Sequence, residues 1–405
     1  MIHQKRRQAL LAQLPENSVV ILSTNSEKQR CGDVHYPFRA DSNFYYLTGF
    51  KEPEALIVLS QQSYQVFLRP RNPEREIWDG ERLGVERACE TLGADQAYDI
   101  GELEQQLPAL LDDAEVVYFD HKDHNLDQQV EALLGNYTTK DPKPVLAEMR
   151  LIKDQHEIET MRRAADVSTK AHTLAMQSVK PNMLEYELQS VFEAEFKKAG
   201  GEHAYTPIVA GGKNACILHY INNDQVLKDG DLVLIDAGCE LDYYASDITR
   251  TFPVNGRFSE AQKAIYQLVL DAQLAAIECI KPGAKTDSMH RAATHVITQG
   301  LISLGLLERG GDLSQFFMHG TGHWLGLDVH DVGVYQIDNQ PREFVPGMIT
   351  TVEPGIYIRE DAKIDPAYHN IGVRIEDNVL VTSSGHEVLT QAVVKEITHI
   401  EKLMQ

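Results

Sequence analysis

The sequence predicts an α+β protein with two domains, a smaller N-terminal α/β domain over residues 1–147 and a larger C-terminal domain over residues 148–405. A chain of 405 residues is too long for one ordinary hydrophobic core. In the first third, short apolar runs rich in β-branched residues alternate with helical patterns. In the remainder, an order of helix, helix, strand and strand occurs twice, which indicates an internal repeat.

The N-terminal domain is predicted from runs of residues typical of strands and from the amphipathic patterns between them. The expected strands are Ser18–Ser23, Ala55–Ser60, Tyr64–Leu68 and Glu115–Phe119, and the expected helices are Glu86–Leu92 and Gly101–Leu111. Asp141–Val145 contains two prolines, so we expect a linker there. After it, Asp154–Val179 has the spacing of a long helix.

The repeat in the C-terminal domain is clearest in two glycine-bounded segments, residues 230–238 (GDLVLIDAG) and 347–355 (GMITTVEPG). Each has a glycine, five residues, a carboxylate, one residue and a second glycine. Each is followed by a second predicted strand with another acid, Asp247 in the first half and Glu376 in the second. A duplicated unit would place two acid-bearing strand pairs around a pseudo-twofold axis.

The overall composition excludes several classes of partner. Lys and Arg number 38 against 60 Asp and Glu, a formal charge of −22, which disfavours nucleic acid and anionic membrane surfaces as partners. The five cysteines are scattered without a C-x-x-C pair, so no disulfide framework or zinc knuckle is indicated. The apolar patch within Met1–Leu14 is too short for a signal-peptide core, and no long apolar run follows, so we expect a cytoplasmic protein.

Four carboxylates stand at corresponding places in the two halves, namely Asp236, Asp247, Glu353 and Glu376. A single one would be read as a turn or capping residue. Four brought together would repel one another and be driven towards protonation. Because two divalent cations supply +4 against −4, we expect a two-metal site.

A glycine-rich segment adds histidines to this set. His319, His323 and His330 lie within twelve residues, and the pattern alone does not decide which of them binds metal. The segment lacks the H-E-x-x-H spacing of zinc proteases. One imidazole with four carboxylates favours Mn²⁺ and admits Co²⁺ or Zn²⁺. Two such ions can bridge a water molecule and polarise a carbonyl, which is the chemistry of amide hydrolysis.

These stretches resemble the pita-bread metallopeptidases, the family that includes methionine aminopeptidase, prolidase and aminopeptidase P. The resemblance implies the creatinase/aminopeptidase-like fold for the C-terminal domain, and it rests on His319–Asp331 (HGTGHWLGLDVHD), Asp231–Phe252, Thr351–Tyr357 (TVEPGIY) and Val373–Val381 (VRIEDNVLV). Tyr36–Leu59 and Glu76–Gly84 are similar to the N-terminal domain of the aminopeptidase P type.

The resemblance also implies roles for the five donors. Asp236 would bind one metal ion, and His323 with Glu353 would bind the other. Asp247 and Glu376 would bridge both ions. Glu353 also matches the residue that takes a proton from the bridging water and passes it to the leaving nitrogen.

Six further residues match positions around the site in this family. His219 and His330 match substrate-binding histidines that act in catalysis. His319, Tyr357 and Arg374 match supporting positions, where Arg374 would orient a ligand carboxylate. Trp78 matches a tryptophan that, in relatives, reaches the active site of a neighbouring subunit, although a packed surface aromatic is the alternative. The resemblance implies a homodimer or homotetramer.

The implied activity is that of a metalloaminopeptidase, which releases the N-terminal residue from peptides with proline in the second position. Proline has no N–H, so a site can select it by shape and by requiring no donor there. Three alternatives stay open. A prolidase cuts only Xaa-Pro dipeptides, a creatinase acts without metal, and non-enzymatic members of the fold are binding modules that characteristically lack the ligands.

Overall fold

The computed structural model describes residues 2–122 and 124–405 of the chain. The chain divides into two compact units, Met1–Met149 and Arg150–Gln405. The boundary expected from the sequence lies two residues earlier, at 147/148. Each unit has its own hydrophobic core, as expected for two independently packed domains.

The N-terminal unit alternates short helices and strands. Its helices are Ile2–Leu11 (α1), Ser42–Thr48 (α2), Pro73–Asp79 (α3), Gly84–Leu92 (α4), Leu103–Leu110 (α5), Asn125–Leu134 (α6) and Lys143–Leu151 (α7), with a 3₁₀ turn at Ile100–Glu102. Its strands are Ser18–Ser23 (β1), Gln29–Cys31 (β2), Val34–His35 (β3), Leu56–Leu59 (β4), Tyr64–Leu68 (β5), Gln96–Asp99 (β6), Val116–Phe119 (β7) and Thr139–Lys140 (β8).

Six of these strands form one mixed sheet in the order β6-β5-β4-β1-β7-β8. The central strand β1 pairs antiparallel with β4 and parallel with β7. All six residues of β1 are buried, which explains its continuous apolar sequence, because a strand covered on both faces needs no polar alternation. The four strands predicted from the sequence are confirmed to within one residue at each end.

The predicted linker at Asp141–Val145 is wrong, because helix α7 begins inside it at Lys143. Pro144 lies in the first turn of α7, where a missing N–H leaves no helical hydrogen bond unmade. The carboxylate of Asp141 accepts a hydrogen bond from the backbone amide of Lys143 at 2.9 Å and so satisfies a free donor at the helix start. Two prolines close together therefore mark a helix start here.

The C-terminal unit contains the repeat. Its helices are Gln155–Ser178 (α8), Glu185–Lys198 (α9), Glu260–Ile277 (α10), Ser288–Ser303 (α11) and Ile397–Leu403 (α12). Its strands are Glu202–His203 (β9), Ile208–Gly211 (β10), Leu232–Asp236 (β11), Cys239–Leu241 (β12), Tyr244–Ala245 (β13), Thr249–Pro253 (β14), Gln336–Ile337 (β15), Gln340–Pro341 (β16), Ile349–Val352 (β17), Gly355–Ile358 (β18), Ile371–Arg374 (β19), Asp377–Val381 (β20) and His386–Val388 (β21).

The two halves of this unit have the predicted order of two helices followed by two antiparallel strands. In the first half, α8 and α9 precede the pair β11/β14, and in the second, α10 and α11 precede the pair β17/β20. Helices α8 and α10 both begin with a capping box, at Asp154 and Ser259 respectively. The buried faces of the helices pack with the strands in one hydrophobic core.

The repeat does not extend to the exact register of the second acid in each strand pair. Asp236 pairs with Thr249, so Asp247 lies two residues before the partner of Asp236. Glu353 follows Val352, which pairs with Asp377, so Glu376 lies directly before that partner. The position opposite Glu353 is therefore an acid, whereas the position opposite Asp236 is a threonine. The two halves therefore correspond in element order, and their second acids differ in register by two residues.

Within residues 2–122 and 124–405, no helix combines the length and the apolar content that crossing a bilayer requires.

Candidate metal centre

All five predicted donors line one cavity of about 500 Å³ in the C-terminal unit. They are Asp236, Asp247, His323, Glu353 and Glu376. The predicted residues His219, His319, His330 and Arg374 line the same cavity. The fold thus brings together residues that lie far apart in the sequence, from His219 to Glu376.

The two strand pairs position the four carboxylates at their ends. Asp236 is the last residue of β11, and Asp247 comes two residues before β14 begins. Glu353 directly follows β17, and Glu376 directly precedes β20. The apolar strands stay buried while the acids at their ends reach the cavity.

Two hydrogen bonds, one from its backbone amide and one from its ring, hold His323 next to these acids. Its backbone amide donates to Oγ1 of Thr351 at 3.1 Å, which ties the loop to β17. Its Nδ1 donates to the carbonyl of Trp324 at 3.0 Å. This leaves Nε2 facing Asp247 Oδ2 at 3.4 Å and Glu353 Oε1 at 3.6 Å. An imidazole with its second nitrogen fixed in this way is typical of metal ligands.

The electrostatics of the cavity favour a bound cation. Burial and the neighbouring Asp247 raise the pKa of Glu376 well above its usual value. Burial and the Asp247 and Asp236 carboxylates raise the pKa of Glu353 to about 7, although His323 and Arg374 oppose this. Burial lowers the pKa of His323, but the hydrogen bond that its ring donates to Asp247 outweighs this and raises the pKa to about 9. The acids repel one another and draw a proton onto the imidazole, and cations would remove both effects.

The donor set fits divalent metal ions by geometry and by chemistry. One ligand atom each from Asp247, His323 and Glu376 lies within 4.8 Å of the others, a compact three-point group. Asp236 and Glu353 stand beside it in the same cavity. One imidazole nitrogen and four carboxylates form a hard set that suits Mn²⁺, Co²⁺ or Zn²⁺.

A chain of hydrogen bonds supports the centre from Arg374. Its Nη2 donates to Asp236 Oδ2 at 2.7 Å, and its Nη1 donates to the hydroxyl of Tyr357 at 3.0 Å. The Tyr357 hydroxyl donates in turn to Nε2 of His319 at 2.8 Å, since Nδ1 of His319 donates to the Gly320 carbonyl. Burial and Arg374 lower the pKa of His319 to about 4, which keeps the ring neutral and able to accept.

The remaining predicted residues differ in their placement. The ring of His330 stands edge-on to the ring of His323, with centroids 4.3 Å apart. Burial and His323 lower the pKa of His330. His219 lines the cavity from the segment that follows the 3₁₀ turn Gly212–Cys216. Trp78 lies on α3 of the N-terminal unit and is 82% exposed, so it is not a packed aromatic in the described chain.

Two residues at the centre were missed by sequence reasoning. The hydroxyl of Tyr205 contacts Asp236 Oδ1 and Asp247 Oδ1, each at 2.5 Å, and so joins two ligand carboxylates. The hydroxyl of Thr249 donates to Glu376 Oε2 at 2.7 Å. Thr249 is the strand partner of Asp236, a relation that the local sequence does not reveal. Nothing in the local sequence around Tyr205 distinguishes it from other tyrosines.

Comparison with known proteins agrees with this architecture. Residues 159–383 match the model of metallopeptidase family M24, and residues 3–118 match the aminopeptidase P N-terminal domain. Over 99% of the chain and 96% of the relative, the sequence is 49% identical to a Xaa-Pro aminopeptidase of Haemophilus influenzae.

Two solved structures are similar over the whole chain. The aminopeptidase PepP of Pseudomonas aeruginosa superposes with a TM-score of 0.97 at 45% identity, covering 100% of this chain and 99% of that one. A variant of Escherichia coli aminopeptidase P in complex with substrate gives a TM-score of 0.96 at 42% identity, covering 100% and 97%.

The chain therefore belongs to metallopeptidase family M24. Its N-terminal unit is of the aminopeptidase P type. The predicted fold, family and enzyme class are confirmed by these matches.

Proposed function

We propose that the chain is a metalloaminopeptidase that releases the N-terminal residue from peptides with proline in the second position. The convergence of one histidine and four carboxylates in a single cavity carries this proposal, because it is a complete donor set for metal-assisted amide hydrolysis. The relatives named Xaa-Pro aminopeptidase, similar over almost the whole chain, support the choice of substrate.

The cofactor in this proposal is a pair of divalent ions, with Mn²⁺ preferred and Co²⁺ or Zn²⁺ as alternatives. Asp236 would hold one ion, His323 and Glu353 the other, and Asp247 and Glu376 both. When bound, the ions would lower the pKa of a water molecule and polarise the scissile carbonyl.

The protein's own groups would move the proton and hold the substrate. Glu353, which lines the cavity beside the other donors, would take a proton from the attacking water and pass it to the leaving nitrogen. His219 and His330 line the cavity, where their ring N–H groups would donate to the substrate carbonyl as it becomes tetrahedral. Arg374 and Tyr357 would keep Asp236 and His319 in place through their hydrogen bonds.

Selection for proline would come from the absence of a donor at the scissile nitrogen and from the ring's shape. The side chains of Ile208, Leu218 and Val329 give the cavity an apolar part. A pyrrolidine ring suits such a surface, since it presents only CH₂ groups.

Peptide length separates this function from its nearest rival. Turnover of both an Xaa-Pro dipeptide and an Xaa-Pro-Xaa tripeptide, abolished by chelation and restored by Mn²⁺, is the expected result. Turnover of the dipeptide alone would instead assign a prolidase. Activity that survives exhaustive chelation would assign a metal-independent reaction of the creatinase type.

The proposed enzyme is a cytoplasmic oligomer. Its five cysteines are all free thiols, which suits the reducing cytoplasm. We expect a homodimer or homotetramer in which the exposed Trp78 reaches the cavity of a neighbouring chain. Light scattering after size exclusion tests the assembly, and Trp78→Ala is expected to weaken peptide turnover without changing metal content.

A further inference from the structure

Glu185, the first residue of α9, is fully buried and accepts four hydrogen bonds from one segment of the chain, residues 211–225. The donors are the backbone amides of Gly211 at 2.8 Å and Gln225 at 3.0 Å, Nδ2 of Asn214 at 3.0 Å and the hydroxyl of Tyr220 at 2.8 Å. A carboxylate offers about four lone-pair positions and no donor, so these four partners fill it.

The segment held in this way carries one face of the cavity. Residues 217–225, all of them described, form neither helix nor strand, so no backbone ladder fixes their course. Leu218, His219 and Ile221 line the cavity, while Tyr220 between them is buried and points its hydroxyl at Glu185. Tyr220 therefore anchors the segment from within while its neighbours in sequence face the substrate space.

The same face of α9 holds the rest of the segment. The backbone amide of Glu185 donates to the carbonyl of Gln225 at 2.9 Å, so the two residues bond each other in both directions. One turn further along α9, Oε1 of Gln189 accepts from Nδ2 of Asn223 at 2.8 Å. Oδ1 of Asn223 accepts from the amide of Val209 at 2.9 Å, which joins the end of the segment to β10.

We propose that Glu185 is a positioning residue for the peptidase reaction, whose buried carboxylate fixes residues 217–225 so that His219 faces the scissile bond. This inference rests on the proposed function, in which His219 contacts the substrate. Glu185 itself touches neither substrate nor metal. Its effect on catalysis passes through the placement of His219.

Glu185→Gln is the sharpest substitution, because it keeps the shape and changes only the hydrogen-bonding pattern. The amide oxygen can still accept two of the four bonds. The amide NH₂ then faces the Gln225 N–H and the Tyr220 hydroxyl, and only the hydroxyl can turn to accept. Glu187→Gln is the matched control, since Glu187 lies in the same first turn and its carboxylate, among the described residues, accepts only from the exposed amide of Leu184.

The experiment is a double-mutant cycle on the Mn²⁺-loaded enzyme with an Xaa-Pro-Xaa tripeptide. Glu185→Gln is expected to lower kcat/KM about 10- to 100-fold at unchanged metal content, because a misplaced catalytic contact has an effect of this size. In a His219→Ala background the same change is expected to alter kcat/KM less than about twofold, since the catalytic contact that Glu185 positions is absent there. Glu187→Gln is expected to match the wild type in both backgrounds.

An equal loss in both backgrounds would overturn the proposal, because Glu185 would then act independently of His219. No loss in either background would also overturn it, because Glu185 would then have no effect on turnover. Tyr220→Phe removes one of the four bonds and serves if Glu185→Gln does not fold. A smaller loss, again absent with His219→Ala, is expected for it.

Hydrogen exchange tests the positioning step without relying on turnover. Glu185→Gln is expected to speed amide exchange in residues 211–225 and to leave β11 protected, whereas Glu187→Gln changes neither. Unchanged exchange in residues 211–225 would contradict the proposal. A wild-type enzyme that cuts no Xaa-Pro peptide would instead overturn the proposed function, so the two failures are distinct.

Discussion

The side-chain amide of Asn378 pairs with the backbone of Asp247 as a second strand would. Its Oδ1 accepts from the Asp247 amide at 3.1 Å, and its Nδ2 donates to the Asp247 carbonyl. Asn378 comes two residues after Glu376, so one buried side chain ties together the segments that carry both predicted bridging ligands. The strand pair containing Asp247 and the one containing Glu376 are thereby held in one arrangement.

Asn378→Ala is therefore expected to weaken metal binding. The buried N–H and C=O of Asp247 would lose their partner, at a cost of about 1–3 kcal/mol for each unsatisfied group. Loss of a group that orients a ligand lowers metal affinity about 10- to 100-fold. Competition between the protein and a chelator for Mn²⁺ measures this, with Asn255→Ala as control, because the exposed Asn255 side chain bonds the surface residue Asp229 and the backbone amide of Arg257. Equal affinity in the two variants would contradict it.

Arg374→Lys keeps the charge next to Asp236 but removes the planar fork. The Arg374 guanidinium donates to Asp236, Tyr357 and Thr249 at the same time. The ammonium group of a lysine lacks this planar fork and cannot reach all three acceptors. We expect tripeptide turnover to fall about 100-fold while the chain stays folded. Arg359→Lys is the control, since Arg359 forms only an exposed ion pair with Asp361. Wild-type turnover in Arg374→Lys would remove Arg374 from the supporting chain.

Metal loading is expected to stabilise the fold, because the folded chain assembles the donors and the unfolded chain does not. At free Mn²⁺ of 100 times the dissociation constant, each site adds about 2.7 kcal/mol. The melting temperature should therefore rise on adding Mn²⁺ to chelator-treated protein. Glu376→Gln should reduce the rise, since one shared carboxylate is lost. Identical melting with chelator and with Mn²⁺ would argue against a metal site.

His172 makes the metal-free protein sensitive to acid. Burial lowers the pKa of His172 to about 4 from its usual 6.5. Its Nε2 donates to the carbonyl of Ala237, the residue after Asp236. Between these values the unfolded chain takes up a proton that the folded chain refuses, so stability is present above pH 6.5 and is lost as the pH falls towards 4.

Between pH 7 and pH 5 the free energy of unfolding should fall in both proteins. The fall should be about 2 kcal/mol smaller in His172→Met than in the wild type. Urea denaturation in the presence of chelator measures the two differences, and the carboxylates common to both proteins cancel. His399→Met, on the surface of α12, should behave as the wild type. A wild-type response in His172→Met would contradict this, because it would mean that His172 takes up the same number of protons in the folded and the unfolded chain over this pH range.

The sequence draws attention to the four carboxylates because they stand near the ends of apolar strands in two similar segments. His323 is singled out only by the family resemblance, because the pattern alone does not distinguish it from His319 and His330. The same reasoning fails where spacing along the chain does not reveal the partner. The two-residue offset between Asp247 and Glu376 depends on strand register, which is set by pairing across the fold. Pro144 lies in the predicted linker but belongs to the first turn of α7. A proline in the sequence is typical both of a linker and of a helix start, so the local pattern does not distinguish the two.

Buried hydrogen-bonding groups were the least predictable part. Tyr205 and Glu185 are ordinary residues in sequence, one after a short strand and one at a helix start. Only the folded chain brings the Tyr205 hydroxyl to two ligand carboxylates, or four donors to the Glu185 carboxylate. These contacts join residues 26 to 42 positions apart, beyond the reach of any local pattern.

The most direct test is the number of metal ions that one chain binds, measured by elemental analysis after Mn²⁺ loading and desalting, together with tripeptide turnover. Two ions per wild-type chain, with fewer ions and no turnover in Asp247→Ala, is the expected result. Wild-type protein that binds no manganese, or Asp247→Ala that cuts Xaa-Pro-Xaa at the wild-type rate, would contradict a two-metal peptidase built on these five donors.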